Sequence, residues 1–396
     1  MTRSTPVPIV RDDAEALRVA RSLAATFAEG ARERDRHRRL PYTEVAQASA
    51  TGLWAITVPR EHGGADVSAV TLAEVIATLA EGDGSLGQIP QNHFYAIEVL
   101  RAGASPEQQS FFFAHALEGQ RFGNALAEIG ARDFKRRTRL ARGPGPWRID
   151  GRKFYCTGSL YAQWIPTLVV AEDGVQHLAF VPRDAPGVTV TDDWDGFGQR
   201  TTGSGSVAFD DVPVEPEWVV PFDASFARPT SIGPVAQIMH AAIDLGIGRA
   251  ALGATLEVLR TRARPWIDSD VARAADDPLT LQGVGEVSLR LRAAEALLRR
   301  AGRAVDAARA TPDEDSVARA SVAVAEARIL TTEAGLLAGT RLLEYGGASA
   351  TGAEDGLDRH WRDVRTHTLH DPVRWKYQAV GRYHLTGERP PRHGAI

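Results

Sequence analysis

The apolar positions divide the chain into three stretches with different periods. Over residues 11–118 they recur at helical spacing, as in Ala14, Leu17, Ala20, Leu23, Ala24 and Phe27. Ser105-Pro106-Glu107 supplies an N-cap with proline in the first turn, and Phe111-Phe112-Phe113 on the helix that follows reads as core. Residues 120–220 change to short β-type runs at Trp147–Ile149, Thr167–Val170, His177–Val181, Val188–Thr191 and Ser206–Phe209. Turn signals at Asp150-Gly151, Glu172-Asp173-Gly174 and Ala185-Pro186-Gly187 separate them, which predicts a small antiparallel β-domain. From Ser231 the helical period returns over 234–264, 278–310, 313–345 and 358–384, the lengths of a four-helix bundle. Asp276-Asp277-Pro278 and Thr311-Pro312-Asp313-Glu314 are helix starts, and Gly346-Gly347 is a stop. The expected class is α+β and mainly helical: an N-terminal helical domain over 1–119, a central antiparallel β-domain over 120–228 and a C-terminal helical bundle over 229–396.

Composition narrows the function classes. At 396 residues the chain exceeds one ordinary core, and 43% apolar with 24% charged residues excludes wholesale disorder. A net charge of −4 gives no basic excess for nucleic acid or an anionic membrane, and no apolar run approaches the ~20 residues of a membrane span. Cys156 stands alone and Met1–Asp13 has no apolar signal region, so the expected compartment is the reducing cytoplasm.

Direct chemistry is sparse. Gly196-Phe197-Gly198 and Gly203-Ser204-Gly205 read as turns, Cys156 as a structural thiol, and Arg32–Arg39 as a solvated face. Lys135–Arg139 reads as a solvated loop or an anion cradle. His367 and His370 are three residues apart, a spacing that puts both rings on one helical face before Asp371-Pro372. They suit helix-end packing or a proton donor, and no motif supplies the further ligands of a metal site. His93 offers the same choice between a core residue and an acid–base group. The residues alone give a fold but no reaction.

Five segments in order resemble the acyl-CoA dehydrogenase flavoprotein superfamily along about residues 10–385. They are Gly52–Gly64 (GLWAITVPREHGG), Phe122–Glu128 (FGNALAE), Asp150–Gly158 (DGRKFYCTG), Gly198–Ser204 (GQRTTGS) and Phe209–Val214 (FDDVPV). The resemblance implies a flavin ring between the β-domain and the bundle. By motif position Asn124, Leu126, Ala127, Tyr155 and Thr157 would touch it. Arg262, Arg264 and Trp266, with Glu344, Gly346 and Gly347, would reach the phosphate end of a neighbouring subunit's flavin.

Two departures point to one branch. Leu369-His-Asp-Pro372 replaces the segment that carries the dehydrogenases' catalytic glutamate, and Ile129–Arg136 replaces their Pro-x-x-Gly-Ser-Asp turn. Arg365–Pro372, Ile89–Phe94 and Phe154–Gly158 resemble the flavin monooxygenases of the dibenzothiophene monooxygenase and sulfur-acquisition type. That resemblance implies reduced FMN supplied by a separate flavin reductase, with FAD as the alternative. O2 would form a flavin C4a-hydroperoxide that oxygenates a small, organosulfur substrate. His370 would stabilise it or donate the proton, with His367, His93, Asn124 and Thr157 in support, and Phe94, Trp164 and Phe197 would line the substrate pocket. Family habit adds a homotetramer. The alternatives are an acyl-CoA dehydrogenase using FAD with Asp371 as base, and a flavin-binding protein without turnover.

Overall fold

The computed structural model describes residues 7–129 and 136–396; the replaced turn at 130–134 and Lys135 lie outside them. The N-terminal block contains α1 (Asp13–His37), α2 (Tyr42–Ala50), α3 (Ala69–Gly82), α4 (Gly84–Gly103) and α5 (Pro106–Leu117). Asp12 caps α1 by accepting from the Glu15 amide at 2.8 Å, and Ser105 and Gln108 close a capping box at α5. Most of the Arg32–Arg39 run is exposed as expected, but Arg34 turns inward. Arg34 is 1% exposed and donates to Glu44 at 3.0 Å and to Asp83 at 2.8 Å, so its charge is matched inside the core. Arg38 crosses to Asp192 of the β-domain. Asp83 also caps α4 through the Ser85 and Leu86 amides, which sets where that helix, buried from Gly84 to Leu100, begins.

The β-domain contains β1 (Arg139–Ala141), β2 (Trp147–Lys153), β3 (Trp164–Ala171), β4 (Gln176–Pro182), β5 (Val188–Thr191), β6 (Ser206–Val214) and β7 (Val219–Pro221). They form one sheet in the order β5-β6-β2-β1-β3-β4-β7. It is mixed rather than antiparallel: after the β1–β2 pair the chain crosses back, so β3 lies parallel to β1. Asp150-Gly151 is not a turn but a register shift within β2, where a side chain at Gly151 would collide with Thr138. Residues 122–127 run beside β3 through bridges Phe122–Trp164 and Ala125–Thr167, then meet β2's end at Ala127–Phe154.

After short α6 (Asp223–Ala227) come α7 (Ile232–Thr261), α8 (Pro278–Ala310), α9 (Glu314–Gly346), α10 (Asp358–His367) and α11 (Arg374–Thr386). The last predicted helix is broken in two. Pro372 has no amide hydrogen to continue it, so His370 sits beyond the end of α10 rather than on a helical face with His367. One apolar core runs from α1, α3 and α4 into α7, α8 and α9, and a second lies within the sheet around Ile149, Ile165, Val181 and Phe209. Among the described residues no helix is long and apolar enough to cross a membrane.

Candidate active site

Two turns of the β-domain face α4 and α10. In the first, Tyr155 has φ 55°, a conformation costly for a bulky residue, and its ring is 52% exposed. Asn124 Nδ2 donates to the Tyr155 carbonyl at 3.1 Å and braces that turn. Ser159 Oγ donates to the Asn124 carbonyl at 2.9 Å and accepts from its amide at 3.0 Å. Thr157 Oγ1 lies 2.7 Å from Ser204 Oγ, which lies 2.7 Å from Thr202 Oγ1, joining the first turn to the second. In the second, Gly198 packs on the Arg362 carbonyl so closely that a side chain would overlap it. The Gln199 amide donates to Asp363 on α10 at 2.6 Å, and its side chain donates to the Gly84 carbonyl of α4 at 3.0 Å. Glu128 secures the first segment from behind. It bonds Lys153 Nζ at 2.6 Å and accepts from Thr138 and Arg137.

The α10 side of this junction carries a buried polar chain. Asp244 on α7 accepts from Thr332 Oγ1 at 2.8 Å and from Arg328 of α9, and lies 2.5 Å from His367 Nδ1. His367 Nε2 lies 3.1 Å from Nδ1 of His240, four residues before Asp244 and on the same face of α7. The His240 ring lies 4.1 Å from that of His370, and Asp371 Oδ2 lies 3.2 Å from His370 Nδ1. Gln237 Nε2 donates to Asp371 Oδ2 at 2.9 Å and to the Gly394 carbonyl at 2.8 Å. Burial alone would raise the Asp244 carboxyl, but Arg328 and His367 hold it below the usual range. Burial, with His370 and His367 nearby, drives His240 well below the ordinary histidine value, and burial also lowers His367 against the pull of Asp244. Burial opposes ionisation of Asp371 too, yet the His370 contact, His240 and Lys376 hold it well below the carboxylate range. Lys376 is pushed down to about 8 by burial.

The structure thus brings Asn124, Tyr155 and Thr157 together in one group and His367 and His370 in another. Gly84 packs on Asp363 of α10, and the Ile89 carbonyl of α4 packs under Gly158, so α4 joins the two. Leu126 is partly buried against the main core, and Ala127 is held by its bridge to Phe154. Tyr155 and Leu369 are exposed at this junction, and exposed Phe197 stacks on Trp361. Sequence reasoning missed His240, Asp244 and Arg328. The signal was present: ionisable side chains inside apolar helical runs that admit no solvent.

Three expected residues lie elsewhere. His93 Nε2 lies 2.7 Å from the Trp54 carbonyl and Nδ1 accepts from the Phe122 amide at 3.0 Å, so both nitrogens are committed. Burial pushes it down to about 4, which makes it a neutral strut rather than an acid. Phe94 packs on Trp54 and His93 at 1% exposure, and Trp164 lies in an aromatic cluster with Phe112 and Trp218, its Nε1 donating to Gln120. Both are core residues, because each ring has apolar or hydrogen-bonding partners that close it off. At about 1.5 Å per residue along α7, Arg262 is roughly 33 Å from His240. It pairs with Asp355, Trp266 is 70% exposed, and Gly346 packs near Val258 beside the same end of α7. Arg264 and Glu344 are exposed, and Gly347 follows with φ 61°.

Comparison with known proteins agrees with this architecture. Family models for the acyl-CoA dehydrogenase N-terminal, middle and C-terminal domains match residues 12–120, 127–212 and 238–375. A dibenzothiophene monooxygenase of Rhodococcus erythropolis is 34% identical over 397 residues, covering 96% of this chain and 95% of the relative. The FMN-bound crystal structure of the dibenzothiophene monooxygenase from Paenibacillus sp. A11-2 superposes with TM-score 0.92 at 33% identity, covering 96% of this chain and 100% of that chain. A methanesulfinate monooxygenase from Pseudomonas fluorescens superposes at 0.90 with 30% identity, covering 96% and 99%.

Proposed function

The chain belongs to the acyl-CoA dehydrogenase family, and within it we propose that it works as a flavin-dependent monooxygenase, using reduced FMN and O2 to oxygenate a small organosulfur compound. The observation that carries this reading is the state of Asp371. A base that removes the α-proton of a thioester needs proton affinity near the working pH. Asp371 is instead tied to Gln237 and His370 and held firmly ionised. It lies 3.2 Å from His370 Nδ1, an arrangement in which it orients that ring for proton donation.

Bound reduced flavin would supply the electrons that activate O2. Around it, Tyr155 and Phe197 present apolar faces to ring and substrate, and Asn124 holds the Tyr155 turn in its strained form. The Thr157–Ser204–Thr202 hydroxyls supply polar groups at the ring's edge. His370, half-exposed and paired with Asp371, delivers the proton that leaves as water. The exposed aromatic surface favours an apolar substrate over an anionic one. We further infer that reduced flavin arrives from a separate reductase in the cytoplasm. Arg262, Arg264 and Trp266, with the Glu344–Gly347 turn, would serve a neighbouring subunit's flavin in a homotetramer, because they lie too far from His240 to reach their own. Exposed Ile267, Leu279 and Leu289 are apolar surface for such contacts.

The test mixes the anaerobic protein and reduced FMN with O2 in a stopped-flow instrument. A transient absorbance band distinct from reduced and oxidised flavin, followed by oxygenated product when dibenzothiophene is present, is the expected result. Direct return to oxidised flavin, with bleaching of bound FAD by acyl-CoA thioesters, would assign a dehydrogenase.

A further inference from the structure

Asp244, His367 and His240 form a chain with no solvent access at its closed end: Asp244 is 0% and both histidines 2% exposed. Packing alone does not explain it, since a buried ionic network is often no more stabilising than apolar side chains of the same size. Its hydrogen bonds have a direction. Asp244 is an acceptor, already engaged by Arg328 and Thr332, so His367 Nδ1 carries the hydrogen between them. His367 Nε2 is then bare, so the hydrogen in the next bond sits on His240 Nδ1. That leaves His240 Nε2 without a hydrogen, in a ring whose centroid lies 4.1 Å from that of His370 at a tilt of 36°. The polar atoms of His240, His370 and Asp371 all lie within 4.8 Å of one another, a span one water can bridge.

We propose that Asp244, His367 and His240 are a tautomer relay, in which the buried carboxylate dictates the hydrogen position on both rings and so presents His240 to His370 as a proton acceptor. The opposite tautomer would put a second N–H beside Asp371 and compete with His370 for it. The three relay groups are positioning residues: they touch one another and act through His370.

The catalytic consequence rests on the monooxygenase reading. Each turnover breaks the O–O bond of O2. One oxygen bonds the substrate sulfur, using its lone pair. The other leaves as water, using two electrons and one hydrogen from reduced flavin and one proton from His370. His370 must then be recharged from solvent, and an acceptor held against it keeps that proton in place. The charged and titratable groups facing this centre are His240 and Asp244 of α7, Arg328 of α9, His367 of α10, Asp371 of the turn, Lys376 of α11 and His393 of the tail.

The relay is tested in flavin-free protein labelled with ¹⁵N-histidine, where protonated and bare ring nitrogens resonate far apart. The wild type is expected to show Nδ1–H for both His367 and His240, and Asp244→Asn to move the His240 hydrogen to Nε2. An Nε2–H His240 in the wild type, or an unchanged His240 in Asp244→Asn, overturns the relay. Should Asp244→Asn strand Arg328 and fail to fold, His367→Asn keeps a donor to Asp244 and removes the acceptor for His240. Loss of the single Nδ1–H state of His240 is then expected, and its retention overturns the proposal. Relay tautomers in a protein with no oxygenase turnover would reject the monooxygenase reading and uphold the relay. Wrong tautomers in an active oxygenase would do the reverse.

Discussion

Replacing Glu128 by glutamine tests how the β-domain secures the segment beside the flavin surface. The Lys153 ammonium is 0% exposed and its carboxylate partner 8% exposed, at 2.6 Å. Burial pushes Lys153 from 10.5 down to about 8. That value already includes the attraction of Glu128, so the charged lysine carries a net cost on the order of 3 kcal/mol even with its partner in place. Burial would raise Glu128, but Lys153 and the Thr138 and Arg137 amides take it from 4.5 down to about 2, a gain of similar size. The two shifts share one attraction and are not summed; a buried pair of this kind contributes little net stability. Glu128→Gln removes the gain and leaves the cost. The stranded lysine must stay charged without a partner or lose its proton, so the expected loss is about 3–5 kcal/mol, the range for removing one partner of a buried pair. Glu128→Gln with Lys153→Met should recover all but about 1 kcal/mol. The pH dependence has a definite sign. A depressed carboxyl stabilises above its unfolded value, so the wild type should lose stability as pH falls from about 4.5 to about 2, and Glu128→Gln should not show that component. Urea unfolding followed by tryptophan fluorescence measures each variant. A loss under about 1 kcal/mol for Glu128→Gln, or no recovery in the double variant, would refute this account.

His370→Ala should leave flavin binding intact and cut product per flavin oxidised by ~10²–10⁴, the range for a lost acid–base group; unchanged coupling would remove His370 from the chemistry. Tyr155→Gly relieves a backbone held at φ 55° and should raise stability by about 1 kcal/mol while weakening FMN binding through loss of the exposed ring; equal or tighter FMN affinity by titration would contradict the placement of Tyr155 against the flavin. Arg262→Ala with Arg264→Ala should lower FMN affinity about tenfold or more, with a weaker salt dependence than the wild type; an unchanged dissociation constant would mean that these arginines serve no flavin in the assembly.

What was legible in the chain follows from how far apart the determining residues lie. The N-cap at Ser105 and the helix start at Asp277-Pro278 are local, and both stand where the sequence predicts. Asp150-Gly151 shows the limit of local reading: the same dipeptide makes a turn or a strand irregularity, and Thr138, pressed against Gly151 from well upstream in the chain, decides which. Arg34 shows it for charge. Nothing in Arg32–Arg39 distinguishes the one guanidinium that turns inward, because its partners Glu44 and Asp83 come from α2 and the start of α4. The proton chain is the extreme case. Asp244, Arg328 and His367 come from three helices; on α7 and α9 the residue looks like a polar interruption of an apolar run, and on α10 His367 is one of several buried polar residues. Such an interruption carries information of its own. An unpaired charge at 0% exposure would cost several kcal/mol, so an Asp inside the continuously buried run 232–248 requires a cation and a donor from elsewhere. His240, four residues earlier on the same face, then marks the direction in which that charge acts, toward His370 and the end of α10.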